Sequence, residues 1–276
     1  MVSTPDPSIQ QRAREAAAEL TERFGHRPQV AMLLGTGHSS IAGQLGDVVS
    51  VRPADLPAGL RFAQESPLHC GVLEDVRVVV ADAPLSPFEG HAVEHVTFPV
   101  HVLRAMGADK LILTAAGASL SLQLEPGMIA VVEDHINLSG IHPLQIPFDQ
   151  SGPRFPDMSN PYDGRMREAA REVAIDAGIP SLQAVFGAVP GPSMPTRAEY
   201  RAYRRLGADL VGMSLVPEAL TAVQLGFRLL SLVGVTQLVN PESHKPASIE
   251  SMLDAADLAA PRMATMLTGI LRKLTP

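Results

Sequence analysis

Phe88-Glu89-Gly90-His91 opens the stretch of sequence that decides the fold, and Asp134-His135-Ile136-Asn137-Leu138 closes it. Between them, an apolar segment ending at Gly107 predicts a helix. Lys110-Leu111-Ile112-Leu113-Thr114 predicts a buried strand followed by a loop of small residues, and Met128 to Val132 predicts a second buried strand. This order of elements is typical of an α/β sheet that carries a site at its strand ends. Small residues after a strand let a ligand approach the backbone closely.

The composition limits what the rest of the chain can be. Of the 276 residues 46% are hydrophobic, which suits one large domain or two. The formal charge of −7 argues against a nucleic-acid-binding surface. The single cysteine, Cys70, excludes an intrachain disulfide and indicates a reducing compartment, so we expect a cytoplasmic protein. We find neither a basic-then-apolar leader nor an apolar run of about 18 residues, so we expect no signal peptide and no membrane contact.

The elements on either side of the central stretch continue the α/β pattern. Residues 8–24 have apolar side chains at helical spacing, whereas 30–34 and 227–235 are apolar runs that predict buried strands. A turn near Glu74 and Asp75 predicts a hairpin, and residues 47–62 predict irregular structure. Gly35-Thr36-Gly37-His38 follows the first strand and precedes a helix, an arrangement whose backbone N–H groups can bind an anion.

The sequence does not predict a metal site. His91 and His95 are four residues apart on an expected helix, where two side chains share a face. Neither a third ligand nor a His-Glu-x-x-His pattern accompanies them, so the pair does not make a zinc site.

Several blocks of the sequence resemble the trimeric purine nucleoside phosphorylases. The blocks are Phe88-Glu89-Gly90, Val96-Thr97-Phe98-Pro99-Val100, Ala115-Ala116-Gly117, Asp134 to Leu138, Arg154 to Ser159, Gly191-Pro192-Ser193, and Gly207-Ala208-Asp209 through Gly212-Met213-Ser214 to Glu218. They occur in the family's order. The resemblance implies one α/β domain over residues 1–276, with a mixed sheet partly closed as a barrel and flanked by helices. It also implies a homotrimer with residues 98–106 and a Pro-rich loop, residues 143–163, near the subunit contacts, a small-molecule nucleoside substrate, phosphate as a co-substrate and no cofactor.

The resemblance also implies roles for individual positions. Thr36 and Ser214 match hydroxyl groups that bind phosphate, and His69 matches a histidine on a loop near phosphate and ribose. Phe88 and Met213 match ribose contacts. Gln237 matches an asparagine that holds purine N7 and helps the base to leave, although its side chain is one methylene longer. The other substrate-binding candidates are Ala115 and Ala116, whose backbone lines the pocket, Met194, which covers the base, Ser86, His38, and His244, which lies near the place of a histidine that contacts the 5′ hydroxyl.

Three positions depart from the family pattern. Pro84 and Ser86 stand where the family has an arginine and a histidine that bind phosphate, and Pro195 stands where a glutamate binds the purine ring N–H. Hydrogen bonds to charged groups contribute roughly 1.5–3 kcal/mol each, so losing two predicts phosphate binding weaker by about a hundred- to ten-thousand-fold. Glu89 keeps the place of a glutamate that orients the absent histidine, so Glu89 either has a new role or bonds backbone N–H groups.

These observations leave three hypotheses. The first is a divergent family enzyme that acts on a nucleoside-like substrate with weakened phosphate and purine recognition, with Glu89, His69 and Gln237 as catalytic residues and water as an alternative nucleophile. The second is a scaffold recruited for other chemistry on a non-nucleoside, or a non-catalytic homologue. The third is an ordinary phosphorylase in which neighbours such as Arg197 or His91 compensate. We adopt the first.

Overall fold

Nine strands and six α-helices make up the fold of the described residues. The computed structural model describes residues 8–35, 39–56, 66–82, 85–145, 152–240, 242 and 248–274. The helices are α1 (Ile9–Phe24), α2 (Val93–Ala105), α3 (Gly164–Asp176), α4 (Arg197–Arg205), α5 (Val216–Gln224) and α6 (Ile249–Leu274). The strands are β1 (Val30–Leu34), β2 (Gly46–Val51), β3 (Leu68–Leu73), β4 (Val76–Asp82), β5 (Lys110–Ser119), β6 (Ile129–Asn137), β7 (Ser181–Ala188), β8 (Leu210–Gly212) and β9 (Arg228–Leu238).

All nine strands join one mixed sheet, and part of that sheet closes into a barrel. The strand order is β2-β3-β4-β1-β5-β8-β7-β6-β9, and β9 also pairs with β5. Strands β5, β8, β7, β6 and β9 therefore form a closed five-stranded ring, while β2, β3, β4 and β1 extend from it as an open sheet. The expected mixed sheet, partly closed as a barrel and flanked by helices, is confirmed.

The core lies where the sequence has its longest apolar runs. Every residue of β1 is buried, and so are eight of the eleven residues of β9. Both strands are paired on two sides, so a continuous apolar run is what such strands need. Helix α1 turns its regularly spaced apolar residues inward. Ser8 is its N-cap and accepts the Gln11 N–H, and Gly25, with φ 74°, is its C-cap. The described helices include none with the length and hydropathy that a membrane crossing requires.

The expected small-residue loop at 115–118 is part of a strand instead. Strand β5 continues to Ser119 because β9 stays paired with it as far as Leu238. The run from Lys110 to Thr114 covered only the first half of β5, of which residues 111–114 are buried. The small residues after it are strand residues beside the cavity described below.

The region before β4 is more regular than its sequence indicates. The predicted hairpin is confirmed, with positive φ at Glu74 and Asp75, but residues 46–51 form the edge strand β2, which was expected to be irregular. His69 consequently lies inside β3 and not on a loop, because β3 pairs with β2 on one side and β4 on the other. His91 precedes α2, so it does not share a helical face with His95.

Two arginines tie helices to neighbouring segments by different means. Arg228 at the start of β9 makes a bidentate ion pair with Asp163, the N-cap of α3, at 2.8 and 3.2 Å. Arg104 near the end of α2 donates instead to the backbone carbonyls of Leu225 and Ala108, both at 2.9 Å. Its guanidinium also lies over the Phe227 ring, 5.5 Å from the centroid.

Asp163 should contribute more to the free energy of unfolding than an exposed carboxylate on a helix does. It caps α3 by accepting the Met166 N–H at 2.9 Å, and the hydrogen bond from Arg228 holds its pKa below the usual range. We expect Asp163→Ala to lower the free energy of unfolding by about 1–2 kcal/mol at pH 7, measured by urea denaturation. A carboxyl whose pKa is depressed in the folded state contributes stability above its unfolded pKa of about 4, and this stability is lost as the pH falls through the folded pKa. The stability difference between wild type and Asp163→Ala should therefore shrink toward pH 3.

The matched control is Asp254→Ala, on the exposed face of α6. That change removes an aspartate without a cap or an ion pair and should move the unfolding midpoint little. Equal losses for the two variants would contradict the assigned role of Asp163.

Candidate active site

One cavity of about 320 Å³ lies where the open sheet meets the barrel. This volume falls within the range of about 300–1,000 Å³ that small-molecule sites occupy. Its wall includes backbone from β5, the turn after β8, the end of β9 and the segment before α2. The lining residues are Leu33, Gly35, Leu85, Ser86, Phe88, Glu89, Leu113 to Ala118, Val189, Met194, Pro195, Tyr200, Val211 to Leu215, Glu218, Thr236, Gln237 and Met252.

The cavity exists because β5 changes neighbours on one edge. Strand β1 pairs with β5 only up to Thr114, and β8 begins to pair at Ala118. Residues 115–117 lie between these two ladders, and the described strand pairings give them no partner on that edge. Unpaired backbone N–H and C=O groups need another partner, so a polar ligand can bind along this edge.

Glycines let the backbone segments come this close together. A Cβ at Gly35 would lie 2.7 Å from the Thr114 carbonyl oxygen, and one at Gly212 would lie 3.0 Å from the Ala116 carbonyl oxygen. The Gly35 N–H donates to the Thr114 hydroxyl at 2.9 Å. Any larger residue at these positions would push the cavity walls apart.

Most of the predicted site residues meet in this cavity. The lining includes nine of them: Glu89, Gln237, Ser86, Phe88, Ala115, Ala116, Met194, Met213 and Ser214. Thr36, His38 and His244 lie outside the described residues, as does Pro84. Pro195, the third departure from the family pattern, lines the cavity next to Met194.

His69 is the one described candidate that does not line the cavity. Its Nδ1 lies 2.7 Å from the Ser50 hydroxyl across the β2–β3 pair. His69 also interacts electrostatically with the carboxyl of Asp82. Burial raises the pKa of Asp82, and His69 lowers it. The strand position of His69 explains this placement, because a residue inside a ladder cannot swing into a neighbouring pocket as a loop residue can.

Glu89 bonds the backbone, which is one of the two alternatives that its sequence context left open. Its Oε2 accepts the Ser86 N–H at 2.9 Å, closing the short 3₁₀ turn Pro87–Glu89. Ser86 is buried, with 7% of its surface exposed. The carboxylate therefore fixes the segment that carries Ser86 and Phe88 into the cavity wall.

A strained turn presents Met213 and Ser214. Leu215 has φ 78° and ψ −46°, and the Val216 N–H donates to the Ser214 carbonyl at 3.0 Å. This is a γ-turn with a positive central φ, a conformation that is rare for a side chain such as leucine. Such strain costs on the order of 1–3 kcal/mol and is concentrated at functional sites.

The sequence did not identify Glu218, which the structure places in the cavity wall. Glu218 is the third residue of α5 and is only 2% exposed. Burial raises its pKa to about 7, although backbone N–H groups at Glu218 and Leu215 favour the charged form. Its sequence signals were its place at the end of the last family block and Pro217-Glu218 at the start of a helix, a common capping pattern, and neither assigned it to the site. The sequence also missed Tyr200, Thr236 and Met252 as lining residues.

A register shift brings two consecutive residues of β9 into the cavity. Gly117 pairs with Val235 and Ala118 pairs with Gln237, so β9 has one extra residue, Thr236, at this point. Successive residues of a regular strand point to opposite faces. The extra residue breaks that alternation, so Thr236 and Gln237 both line the cavity.

The described part of the cavity wall is acidic and hydroxyl-bearing. It contains the carboxyl groups of Glu89 and Glu218 and the hydroxyls of Ser86, Thr114, Tyr200, Ser214 and Thr236, but no arginine, lysine or histidine. The described residues also contain no cluster of three or more His, Cys, Asp or Glu side chains that could hold a metal ion.

Comparison with known proteins gives a consistent picture. Residues 29–272 match the family model described as the phosphorylase superfamily. The chain is 32% identical over 264 residues to purine nucleoside phosphorylase 1 of Geobacillus stearothermophilus, covering 94% of this chain and 96% of that protein. It is 35% identical over 268 residues to the purine nucleoside phosphorylase of Mycobacterium leprae, covering 95% and 96%.

Solved structures agree with the sequence matches. A Schistosoma purine nucleoside phosphorylase in complex with hypoxanthine has a TM-score of 0.90 and 26% identity, covering 98% of this chain and 100% of that one. The Schistosoma enzyme in complex with guanosine has a TM-score of 0.91 at 26% identity over 98% of this chain and all of that one.

Gly35→Ala should disturb the cavity more than its size suggests. The new methyl group would meet the Thr114 carbonyl at 2.7 Å and the Ala115 Cα at 3.1 Å, so β1 and β5 would have to separate. We expect a loss of about 1–3 kcal/mol in the free energy of unfolding, measured by urea denaturation. Gly43→Ala is the control, because no heavy atom lies within 4 Å of its Cβ position. A Gly35→Ala protein as stable as the Gly43→Ala protein would show that the two strands do not constrain this wall.

Proposed function

Because the chain belongs to the phosphorylase superfamily, we propose that it transfers the pentosyl group of a purine-nucleoside-like substrate and cleaves the N-glycosidic bond. We further propose that it holds phosphate and the purine ring more weakly than the family pattern implies. The named relatives and the complexes with hypoxanthine and guanosine support the nucleoside assignment. The single observation that supports weakened recognition is the cavity wall with Ser86 and Pro195 and no described basic side chain.

The arrangement suits stabilisation of a positively charged sugar in the transition state. Departure of a purine from C1′ builds positive charge on the ribose and negative charge on the base. The carboxylates of Glu89 and Glu218 favour a cation in the cavity, and the Gln237 side chain can donate a hydrogen bond to the leaving base. Phosphate would depend on hydroxyl and backbone donors, among them Ser86, Ser214 and the backbone at Ala115, which are neutral and weaker than an arginine.

The acidic wall also favours water as an alternative nucleophile. A phosphate dianion entering a cavity lined by two carboxyl groups meets unfavourable electrostatics, whereas a neutral water molecule does not. The alternative to this proposal is that the scaffold was recruited for a non-nucleoside or has lost catalysis. Activity assays with and without phosphate separate these outcomes.

The proposed activity is tested with inosine and guanosine, by measuring base release with and without phosphate. We expect base release with a weak dependence on phosphate. Pro195→Glu restores a carboxylate beside Met194 and should raise kcat/KM for inosine about tenfold or more. Pro126→Glu, in the exposed turn before β6, is the matched control and should leave kcat/KM unchanged.

Three outcomes separate the hypotheses. Release that needs phosphate and saturates at low phosphate concentration would contradict weakened phosphate recognition. Release that is independent of phosphate would identify hydrolysis. No release under either condition would contradict the nucleoside activity itself.

A homotrimer is proposed on the family resemblance. Both expected contact regions stay predictions. Near residues 98–106 the contact would use side chains other than Phe98, Val100, Val102, Leu103 and Met106, which are buried in the chain's own core. In the Pro-rich loop Phe155 is 90% exposed. We expect light scattering to give three times the chain mass, and Phe155→Ser to shift the protein toward monomer. A monomeric wild type would contradict the proposal.

A further inference from the structure

Two acceptor atoms in the cavity wall have no hydrogen-bond partner among the described residues. They are Oε2 of Glu218 and Oε1 of Gln237, both buried, and both residues line the same cavity. Leaving a buried acceptor unpaired costs roughly 1–3 kcal/mol, so native structures rarely do so without a reason. A ligand in the cavity that offers hydrogen-bond donors would remove this cost.

The position of Glu218 explains why one of its oxygens stays available. Backbone N–H groups at Leu215 and Glu218 hydrogen-bond the carboxylate at the start of α5. This holds the carboxylate in place without satisfying Oε2. Because the γ-turn at Leu215 fixes the start of the helix, the carboxyl cannot rotate away without breaking those bonds.

The pKa of Glu218 is set by burial, which raises it, and by the backbone N–H groups at Glu218 and Leu215, which lower it; no described charged side chain shifts it. Helix α2 and strand β9 pack against α5, and the guanidinium of Arg104 is engaged at the opposite end of α5, on the Leu225 carbonyl. The titratable groups on these elements and across the cavity are Glu94, His95, His101 and Arg104 of α2, Arg228 of β9, and Glu89 and Tyr200 of the wall.

We propose that Glu218 is a substrate-binding residue whose free carboxylate oxygen accepts a hydrogen bond from an N–H or O–H donor of the bound nucleoside. This inference rests on the nucleoside activity proposed above. Pro195, which also lines the cavity, offers no carboxylate and no backbone N–H, whereas Glu218 supplies a buried carboxylate acceptor. Gln237 lines the same cavity with a neutral unpaired acceptor, so the two residues favour ligands that carry donors and disfavour an anion.

The buried carboxyl makes this contact depend on pH near neutrality. Burial raises the pKa of Glu218 to about 7, so a substantial fraction is protonated at neutral pH when the cavity is empty. A donor from the ligand favours the ionised form and lowers that pKa, so binding releases a proton. Below pH 7 the carboxyl must first lose its proton, and affinity should fall by up to about tenfold per pH unit.

The donor could come from the base or from the sugar, and the two sources are distinguished with analogues. Binding to the full chain is measured by isothermal titration calorimetry between pH 6 and 8.5 with inosine, 1-methylinosine and 2′,3′-dideoxyinosine. 1-Methylinosine lacks the N–H of the purine ring, and 2′,3′-dideoxyinosine lacks the 2′ and 3′ hydroxyls of the sugar. The proteins are wild type, Glu218→Gln and the control Glu22→Gln, which changes an exposed residue of α1.

We expect Glu218→Gln to bind inosine about ten- to a hundred-fold more weakly above pH 7 and to lose the pH dependence, with the control unchanged. The analogue without the relevant donor should bind weakly to wild type and lose little more in the variant. Wild type titrated in buffers of different ionisation enthalpy should release a proton on binding near pH 7, a result that needs no variant.

Each other outcome overturns a stated part. Inosine binding by wild type with no proton release and no pH dependence overturns the role of Glu218 alone. Equal affinity of wild type and Glu218→Gln does the same. Failure of wild type to bind any of the three nucleosides overturns both this inference and the proposed function.

Discussion

Along one edge of β5, hydrogen bonding passes from β1 to β8, while on the other edge β9 stays paired throughout. A strand can belong to an open sheet and a closed barrel at once only if one of its edges changes neighbour. The change leaves residues 115–117 between two ladders, and the cavity lies against them. The small residues of β5 and the glycines at 35 and 212 follow from the same constraint, because each brings two backbones into contact.

The chemistry of the cavity follows from which groups face that gap. Backbone and hydroxyl donors are common in the described wall, and its ionisable groups are the carboxyls of Glu89 and Glu218 and the phenol of Tyr200. Glu89 is engaged by the Ser86 N–H, whereas Glu218 keeps one oxygen unpartnered among the described residues. Two carboxyls of the same residue type thus have different roles, because one closes a surface turn and the other is buried at a helix start.

The sequence predicted the scaffold better than the site. Buried strands such as β1 and β9 are continuous apolar runs, and their period and length identify them directly. The strand character of residues 115–118 and of β2 depends on partners distant in the chain, so local composition pointed to loops. The register shift at Thr236 and the burial of Glu218 are likewise tertiary effects, which a helix-start pattern does not reveal.

The ties that Arg104 makes have a consequence for the molecule in acid. A peptide carbonyl does not gain a proton over the range in which carboxylates are neutralised, so the bonds to Leu225 and Ala108 persist when the Asp163–Arg228 pair has been discharged. Acidification should therefore weaken the contact between α3 and the barrel first. The hydrogen bonds where α2 meets the end of α5 would persist, so one side of the protein is acid-labile and the other is acid-tolerant.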